Sequence, residues 1–557
     1  MAFQKESGIF KGMNARLTVI STAIILAALV YGAFYTEILS DNLSAARDFL
    51  NPFLEWYYVI LVAFLLFFMV WLGIGHYKDV RLGHDDERPE FSFVSWVAML
   101  FAAGMGVGII FWSVAQPVLQ FHDNPFVEEG GTPEAAIAAL RLTFFHWGLN
   151  GWAIFAFVGL VLAYFSFRRD LPLTIRSALY PILGERIRGV SGDVVDTLAV
   201  FGTVFGIVTT LGLGVQQLNS GLGAVFDLEA TLFLQLVITA CIMGIAAVTV
   251  VSGLNRGVRW MSELNLGLSV AAMAFLMLWG PTNHLIAMTV EAAGYYAQNL
   301  LVMNLYTHAA LEDGWQAEWT VFYWGWWLAW APFVGMFIAR ISRGRTFSEF
   351  IMGVLLVPTV VTMVWMGLFG GSALYQELFG SGGIIDAVEE DVAVALFAML
   401  QGLDLGLVGI AASIGMLLLI ATFLITSANA GTLVVNTILS GGDPEPPRIH
   451  RVFWAVVLAL LTAILLAAGG LEVLQSAVIM GALPFSLVVV AMTAGLLRAL
   501  EDEKCAHRRG KRTETPREPW ADLDDAGIRP IRALPEKIRD SCRTRGQQPE
   551  YWRNNHE

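Results

Sequence analysis

The sequence predicts an all-α membrane protein with twelve transmembrane helices, on three observations. Of its 557 residues 56% are hydrophobic and 15% charged, with a mean hydropathy of +0.62. The apolar residues gather into runs long enough to cross a bilayer, and the charges collect in the segments between runs. A soluble core protein with so many such runs would have no amphipathic face to present to water.

The chain opens with polar residues 1–16, including Lys5, Lys11 and Arg16, and no small-residue cleavage site follows the first apolar run. That run is therefore read as an anchor, not a removed signal. The predicted spans are 17–35, 55–75, 93–116, 138–166, 194–218, 230–252, 261–280, 318–339, 349–372, 406–430, 452–470 and 473–498. Their even number puts both termini on one side. Basic loops follow the second span (Lys78, Arg81, Arg88), the fourth (Arg168, Arg169, Arg176, Arg186, Arg188), the sixth (Arg256, Arg259) and the eighth (Arg340, Arg343, Arg345). The alternate loops carry Asp123, Glu128, Glu129 and Glu134, then Asp227 and Glu229, then Glu312 and Asp313, then Glu389, Glu390 and Asp391. Lys and Arg favour the cytoplasmic side, so both termini are expected there.

Two outer loops exceed simple turns. Loop 281–317 holds an amphipathic piece at 284–301 and loop 373–405 another at 392–400, both expected as short helices along the membrane surface. The tail 499–557 mixes both charge signs and contains Pro516, Pro519, Pro530 and Pro535, which predicts partial order. Cys241, Cys505 and Cys542 form no CxxC pair, and HExxH, G-x-S-x-G and P-loop motifs are missing. An enzyme, a zinc site and a disulfide framework are not indicated. The net charge of −13 lies in loops and termini and reads as solubilising surface, with no nucleic-acid partner expected.

Three spans carry residues suited to a small ligand. The third places Gly104, Gly106 and Gly108 at alternate positions, which disfavours a continuous helix by about 2–3 kcal/mol relative to alanine. A helix broken there would offer backbone groups to ions and carboxylates; close packing through small residues is the alternative. The fourth span offers His146, Trp147, Asn150, Trp152 and Phe155, and the eighth Tyr323, Trp324, Trp326, Trp327 and Trp330. Trp147, Trp152, Trp326, Trp327 and Trp330 fall well inside spans, whereas Trp56, Trp315 and Trp319 read as an interfacial belt. A quaternary ammonium has a diffuse charge and no N–H donor, so aromatic faces hold it better than a carboxylate, at about 0.5–2 kcal/mol each. On the tenth span Thr426 and Ser427, and on the fifth Thr203, Thr209 and Thr210, either bond back to the preceding turn or supply oxygens to a sodium ion.

Taken together, WTVFYWGWWLAWAPFVGMFIARISRGRTFSEF, FAAGMGVGIIFW, FFHWGLNGWAIF, GTVFGIVTTLGLG and ITSAN occur in the order that resembles the betaine/choline/carnitine transporter family, over residues 12–498. The resemblance implies a LeuT-type five-plus-five inverted repeat preceded by two extra helices, alternating access, a homotrimer and a bacterial inner membrane. It divides the chain into an N-terminal segment 1–16, two peripheral helices 17–92, a first repeat 93–280, an outer loop 281–317, a second repeat 318–498 and a tail 499–557. It implies an aromatic box of Trp147, Trp152, Phe155 and Trp327, with Trp326 and Trp330 beside it, and Phe155 where the family often has Tyr. It further implies a sodium ion held by carbonyls of Ala102 and Met105 and by the hydroxyls of Thr426 and Ser427. No other cofactor is implied. At a second sodium site Thr203 remains but Ile207 replaces a threonine, so one well-formed site is expected. Gln116 and Asn429 stand where many members carry Glu and Asp, which removes possible proton carriers. Gly108 stands where choline carriers tend to place Asp, favouring a zwitterion such as glycine betaine, carnitine, dimethylsulfoniopropionate or ectoine. The function implied is sodium-coupled import of such a solute. A sodium-independent or proton-coupled carnitine/choline-type carrier or exchanger is the alternative within transport, and a transporter-like receptor the alternative outside it.

Overall fold

The computed structural model describes residues 5 and 7–508 apart from 105, 253–254 and 311–313; of 101–104, 251–252, 255–259 and 505–508 it describes the backbone alone. Met105, Glu312, Asp313, Cys542 and the prolines of the tail therefore lie outside the described residues.

The regular structure of the described residues is all helix, apart from two isolated β-bridges. In order it forms α1 (Ala15–Phe34), α2 (Thr36–Ile74), α3 (Phe93–Gly104), α4 (Val107–His122), α5 (Pro133–Trp147), α6 (Leu149–Ala163), the short α7 (Tyr180–Leu183), α8 (Val190–Phe226) and α9 (Leu232–Ser252). There follow α10 (Asn255–Trp279), α11 (Thr282–Asn304), α12 (Phe322–Ile341), α13 (Phe347–Phe379), α14 (Ile384–Glu390), α15 (Ala395–Gly402), α16 (Leu407–Leu439), α17 (Arg448–Gly469) and α18 (Leu471–Arg508). Eleven helical stretches among the described residues are long and apolar enough to cross a membrane. The third predicted span is the remaining one, divided into α3 and α4 at Gly106.

Several boundaries differ from expectation. The link before the second span is itself helical, so α2 runs for 39 residues with Pro52 inside it. The fourth span is not continuous: α5 ends at Trp147 and α6 starts at Leu149, with Gly148 between them. Thr422–Asn429 lies in the middle of α16 and not at its end. Of the two outer pieces, α11 packs on α5 and α13 with Val290 and Leu301 exposed, but α15 does not lie on the surface. Its Leu396, Phe397, Met399 and Leu400 are buried against α4 and α16, so its apolar face is satisfied by protein instead of lipid.

α12 forms the centre, packing on α6, α18 and α8. Its basic end does more than mark a side. Arg345 is 2% exposed, pairs with Glu349 and sits 4.1 Å over the Trp96 ring, whose Nε1 donates to Ser342 Oγ at 3.0 Å. The segment 343–347 pairs with the loop after α2 through Gly344 N to Leu82 O (2.7 Å) and Leu82 N to Arg345 O (2.8 Å). On this same face Arg168 bonds Gly83 O, Asp85 and Glu503, and Asn14 N donates to Leu439 O. These ties gather the N-terminal segment, the loops after α2, α6 and α12 and the end of α18 onto one basic face.

Candidate functional site

A cavity of about 910 Å³ runs from the centre of the bundle to the basic face. Its inner end is walled by Trp147, Trp152 and Phe155 from α5 and α6, by Trp326, Trp327 and Trp330 from α12, and by Gly106 and Gly108 at the start of α4. Its mouth is formed by Pro444–Pro447, Arg448 and Arg451. Glu445, at that mouth, is the sole carboxylate residue among the described residues lining it.

The rings converge on Trp327. Its centroid lies 5.8 Å from Trp147, 5.8 Å from Trp152 and 4.6 Å from Phe155, with interplanar angles of 68°, 69° and 51°. Such edge-to-face arrays leave several π faces turned to a shared volume. Three indoles are fixed through their N–H groups. Trp147 Nε1 donates to Gln116 Oε1 (2.9 Å), Trp327 Nε1 to the His146 carbonyl (3.1 Å) and Trp330 Nε1 to the Gly206 carbonyl (2.8 Å). The His146 carbonyl is available because α5 stops one residue later, leaving its last carbonyls without helical donors. Trp152 and Trp326 are held by packing, and their indole N–H groups find no acceptor among the described residues.

The glycines serve this geometry unequally. A Cβ on Gly108 would stand 2.4 Å from Trp326 Cη2, whereas one on Gly106 would meet nothing within 4 Å. Gly106 thus faces open cavity at the helix break, and Gly108 is the ledge on which Trp326 rests. Gly104 lies at the end of α3, where the backbone alone is described.

Of the oxygen donors expected from the sequence, Thr426, Ser427 and Thr210 line the same cavity, whereas Thr209 Oγ1 donates to Leu474 O at 3.0 Å. Thr426 Oγ1 donates back to Phe423 O at 3.0 Å and accepts from Asn265 Nδ2 at 3.3 Å. Ala102 belongs to the backbone of α3, and Met105 lies outside the described residues. Thr203 does not line the cavity; its hydroxyl bonds back to Ala199 O at 2.7 Å, and Ile207 packs toward Gly431. His146 and Asn150 also face away: His146 joins Gln116 and Thr320, and Asn150 Nδ2 donates to Asn304 Oδ1 on α11 at 2.6 Å.

Other lining residues escaped the sequence reading. Ser262, Asn265 and Ser269 of α10 face the cavity, and Thr249 of α9 bonds Asn429 Oδ1 at 2.9 Å. The spacing of 262, 265 and 269 is that of one helix face, a signal present in the sequence but obscured by the short polar side chains. Trp315 and Trp319 correct the opposite error. They are 7% and 8% exposed and belong to no belt. With Trp112, Phe322 and Tyr323 they close the bundle on the side opposite the mouth, Trp112 lying 5.8 Å from Trp319 and 5.9 Å from Tyr323. This end of the span enters protein, so its tryptophans meet aromatic side chains of the bundle.

The sequence matches the model of the betaine/carnitine/choline family of transporters over residues 16–505. A glycine betaine transporter of Acinetobacter baylyi is 42% identical over 504 residues, covering 89% of this chain and 74% of that protein. A glycine betaine transporter of Bacillus subtilis is 38% identical, covering 89% and 96%. An osmo-dependent choline transporter of Acinetobacter baylyi is 39% identical, covering 88% and 72%. The betaine and choline carriers are thus similarly distant, so overall identity does not select a solute.

Proposed function

We propose, from the premise that the chain belongs to the betaine/carnitine/choline transporter family, that it imports a zwitterionic quaternary ammonium solute of the glycine betaine kind by alternating access coupled to sodium. The observation carrying this reading is the meeting of Trp147, Trp152, Phe155 and Trp327 around one cavity whose inner end has no lining carboxylate among the described residues. Aromatic faces suit the trimethylammonium group, each contributing about 0.5–2 kcal/mol once desolvated. The absent carboxylate favours a solute that brings its own. Choline would reach this pocket as an uncompensated cation, and Gly108 has no room for an acidic side chain unless Trp326 moves.

The solute carboxylate and the coupling ion are assigned to the helix break. Gly106 opens backbone to the cavity there, and Thr426 and Ser427 line that same space. The hydroxyls of Thr426 and Ser427 with carbonyls at the end of α3 would supply an all-oxygen donor set of the kind that suits a sodium ion. Thr203 lies outside this cavity, and with Ile207 beside it offers at most a weak second site. In this reading the aromatic layer around Trp112 is the closed outer gate, the basic face is cytoplasmic, 93–280 and 318–498 are the two repeats, and the protein works as a trimer in the bacterial plasma membrane.

The test is uptake of labelled glycine betaine into proteoliposomes with and without an inward sodium gradient, with choline and carnitine as competitors. Uptake that needs the gradient and is displaced poorly by choline supports the proposal. Equal uptake without sodium replaces it with exchange or proton coupling, and binding without uptake replaces it with a receptor.

A further inference from the structure

We infer that Gln116 is the positioning residue of the aromatic box, setting the Trp147 ring from behind. This rests on the box being the solute site, yet the geometry stands by itself. Gln116 of α4 is fully buried, as are His146 and Thr320. The indole N–H of Trp147 can only donate, so the amide oxygen of Gln116 must face it, at 2.9 Å. The amide nitrogen then faces His146 Nδ1, at 2.8 Å, and being a donor it requires Nδ1 to be the acceptor. The imidazole therefore carries its proton on Nε2 and donates to Thr320 Oγ1 at 3.2 Å. One obligate donor thus fixes every orientation in the chain Trp147–Gln116–His146–Thr320.

The location gives this chain its consequence. His146 and Trp147 are the last two residues of α5, immediately before the break at Gly148, where the backbone has lost its helical hydrogen bonds. Gln116 holds both side chains from a different helix, and Tyr323 stacks over the imidazole at 4.7 Å and 19°. An apolar residue in its place would leave a buried indole N–H and an imidazole nitrogen unpaired, and Trp147 would be free to tilt. A carboxyl there would hold one proton between itself and His146 while still accepting from Trp147. A positioning role therefore tolerates Glu and rejects Met.

The test compares wild type with Gln116→Met, Gln116→Glu, Trp147→Phe and the Gln116→Met/Trp147→Phe double variant. Glycine betaine uptake by reconstituted protein is resolved into KM and Vmax. Gln116→Met is expected to raise KM about tenfold, the scale of losing one correctly placed aromatic face, with Vmax within about twofold. Gln116→Glu restores KM to near the wild-type value. In the Trp147→Phe background, which has no N–H to hold, Gln116→Met adds little. An unchanged KM in Gln116→Met, or full additivity with Trp147→Phe, overturns the inference. A second measurement needs no solute: with tryptophans labelled by ¹⁵N at the indole, the Trp147 resonance, assigned by its loss in Trp147→Phe, shifts in Gln116→Met. An unshifted resonance overturns the inference as well. Failure of wild type to take up glycine betaine would instead count against the proposed solute, and the resonance would still decide the role of Gln116.

Discussion

At the scale of the residue, each cavity tryptophan of α12 rests on a glycine from a different helix. A Cβ on Gly108 of α4 would lie 2.4 Å from Trp326, on Gly151 of α6 2.3 Å from Trp327, and on Gly206 of α8 2.7 Å from Trp330. The indoles therefore stand where they do because three neighbouring surfaces are one methyl short. Gly151→Ala is the cleanest probe, because Gly151 lies on the back of Trp327 and does not line the cavity. The added methyl must push the ring toward the solute, at about 1–3 kcal/mol for overpacking. Glycine betaine affinity should fall by roughly tenfold while the yield of monodisperse protein stays close to wild type; unchanged affinity would mean that the ring is not held from behind. The tryptophans themselves were legible in the sequence, since a helical spacing of aromatics inside an apolar run has few uses. Their supporting glycines were not, because Gly151 looks like any small residue of a membrane helix until its neighbour is known.

At the scale of the element, two breaks shape the cavity, and the sequence disclosed one of them. Three alternate glycines announced the division of α3 from α4 because their intrinsic cost in a helix is high. The division of α5 from α6 has a single Gly148 in an apolar run, and tertiary contacts sustain it: Trp327 takes the His146 carbonyl, and Gln116 takes the Trp147 indole. Local propensity cannot report a break sustained by partners distant in sequence. The same limit explains α15, whose apolar face read as membrane surface but is covered by α4 and α16. The first break yields a direct prediction. Gly106 has extended backbone, φ −162° and ψ 175°, which alanine adopts freely, and nothing lies within 4 Å of a Cβ there. Gly106→Ala should leave the thermal midpoint within a few degrees of wild type, yet weaken solute binding severalfold by putting a methyl where the carboxylate is proposed to sit. A loss of stability matching the loss of binding would show instead that the break itself had been disturbed.

At the scale of the molecule, ion pairs and the cavity jointly define one working face. Arg176, in the 3-10 turn Ile175–Leu179 before α7, is bonded to Asp193 at 2.8 Å and Asp196 at 2.5 Å, and Arg16 and Asn14 reach the same Asp193. Burial opposes the charge on Arg176, but the two carboxylates outweigh it and raise its pKa above the ordinary value, so the guanidinium is charged at any working pH. Arg176→Ala would strand two buried carboxylates and is expected to cost about 3–5 kcal/mol, read as a lower thermal midpoint and early loss of the folded fraction. Sequence showed these charges as a topological signal; it could not show that some of them, Arg176 and Arg345 included, are internal fastenings. The cavity opens through this fastened face and is closed opposite by Trp112, Trp319, Phe322 and Tyr323. Access to it should therefore be one-sided. In a background lacking Cys241, Cys505 and Cys542, Ala430→Cys places a thiol on the cavity wall. A membrane-impermeant maleimide should label it readily in vesicles that expose the face bearing the N-terminus and slowly in vesicles of the other orientation, and saturating glycine betaine should protect it. Trp112→Ala should raise the slow rate by thinning the aromatic layer. Equal labelling from both faces would mean that the layer is not a gate, and would count against the proposed alternating access through it.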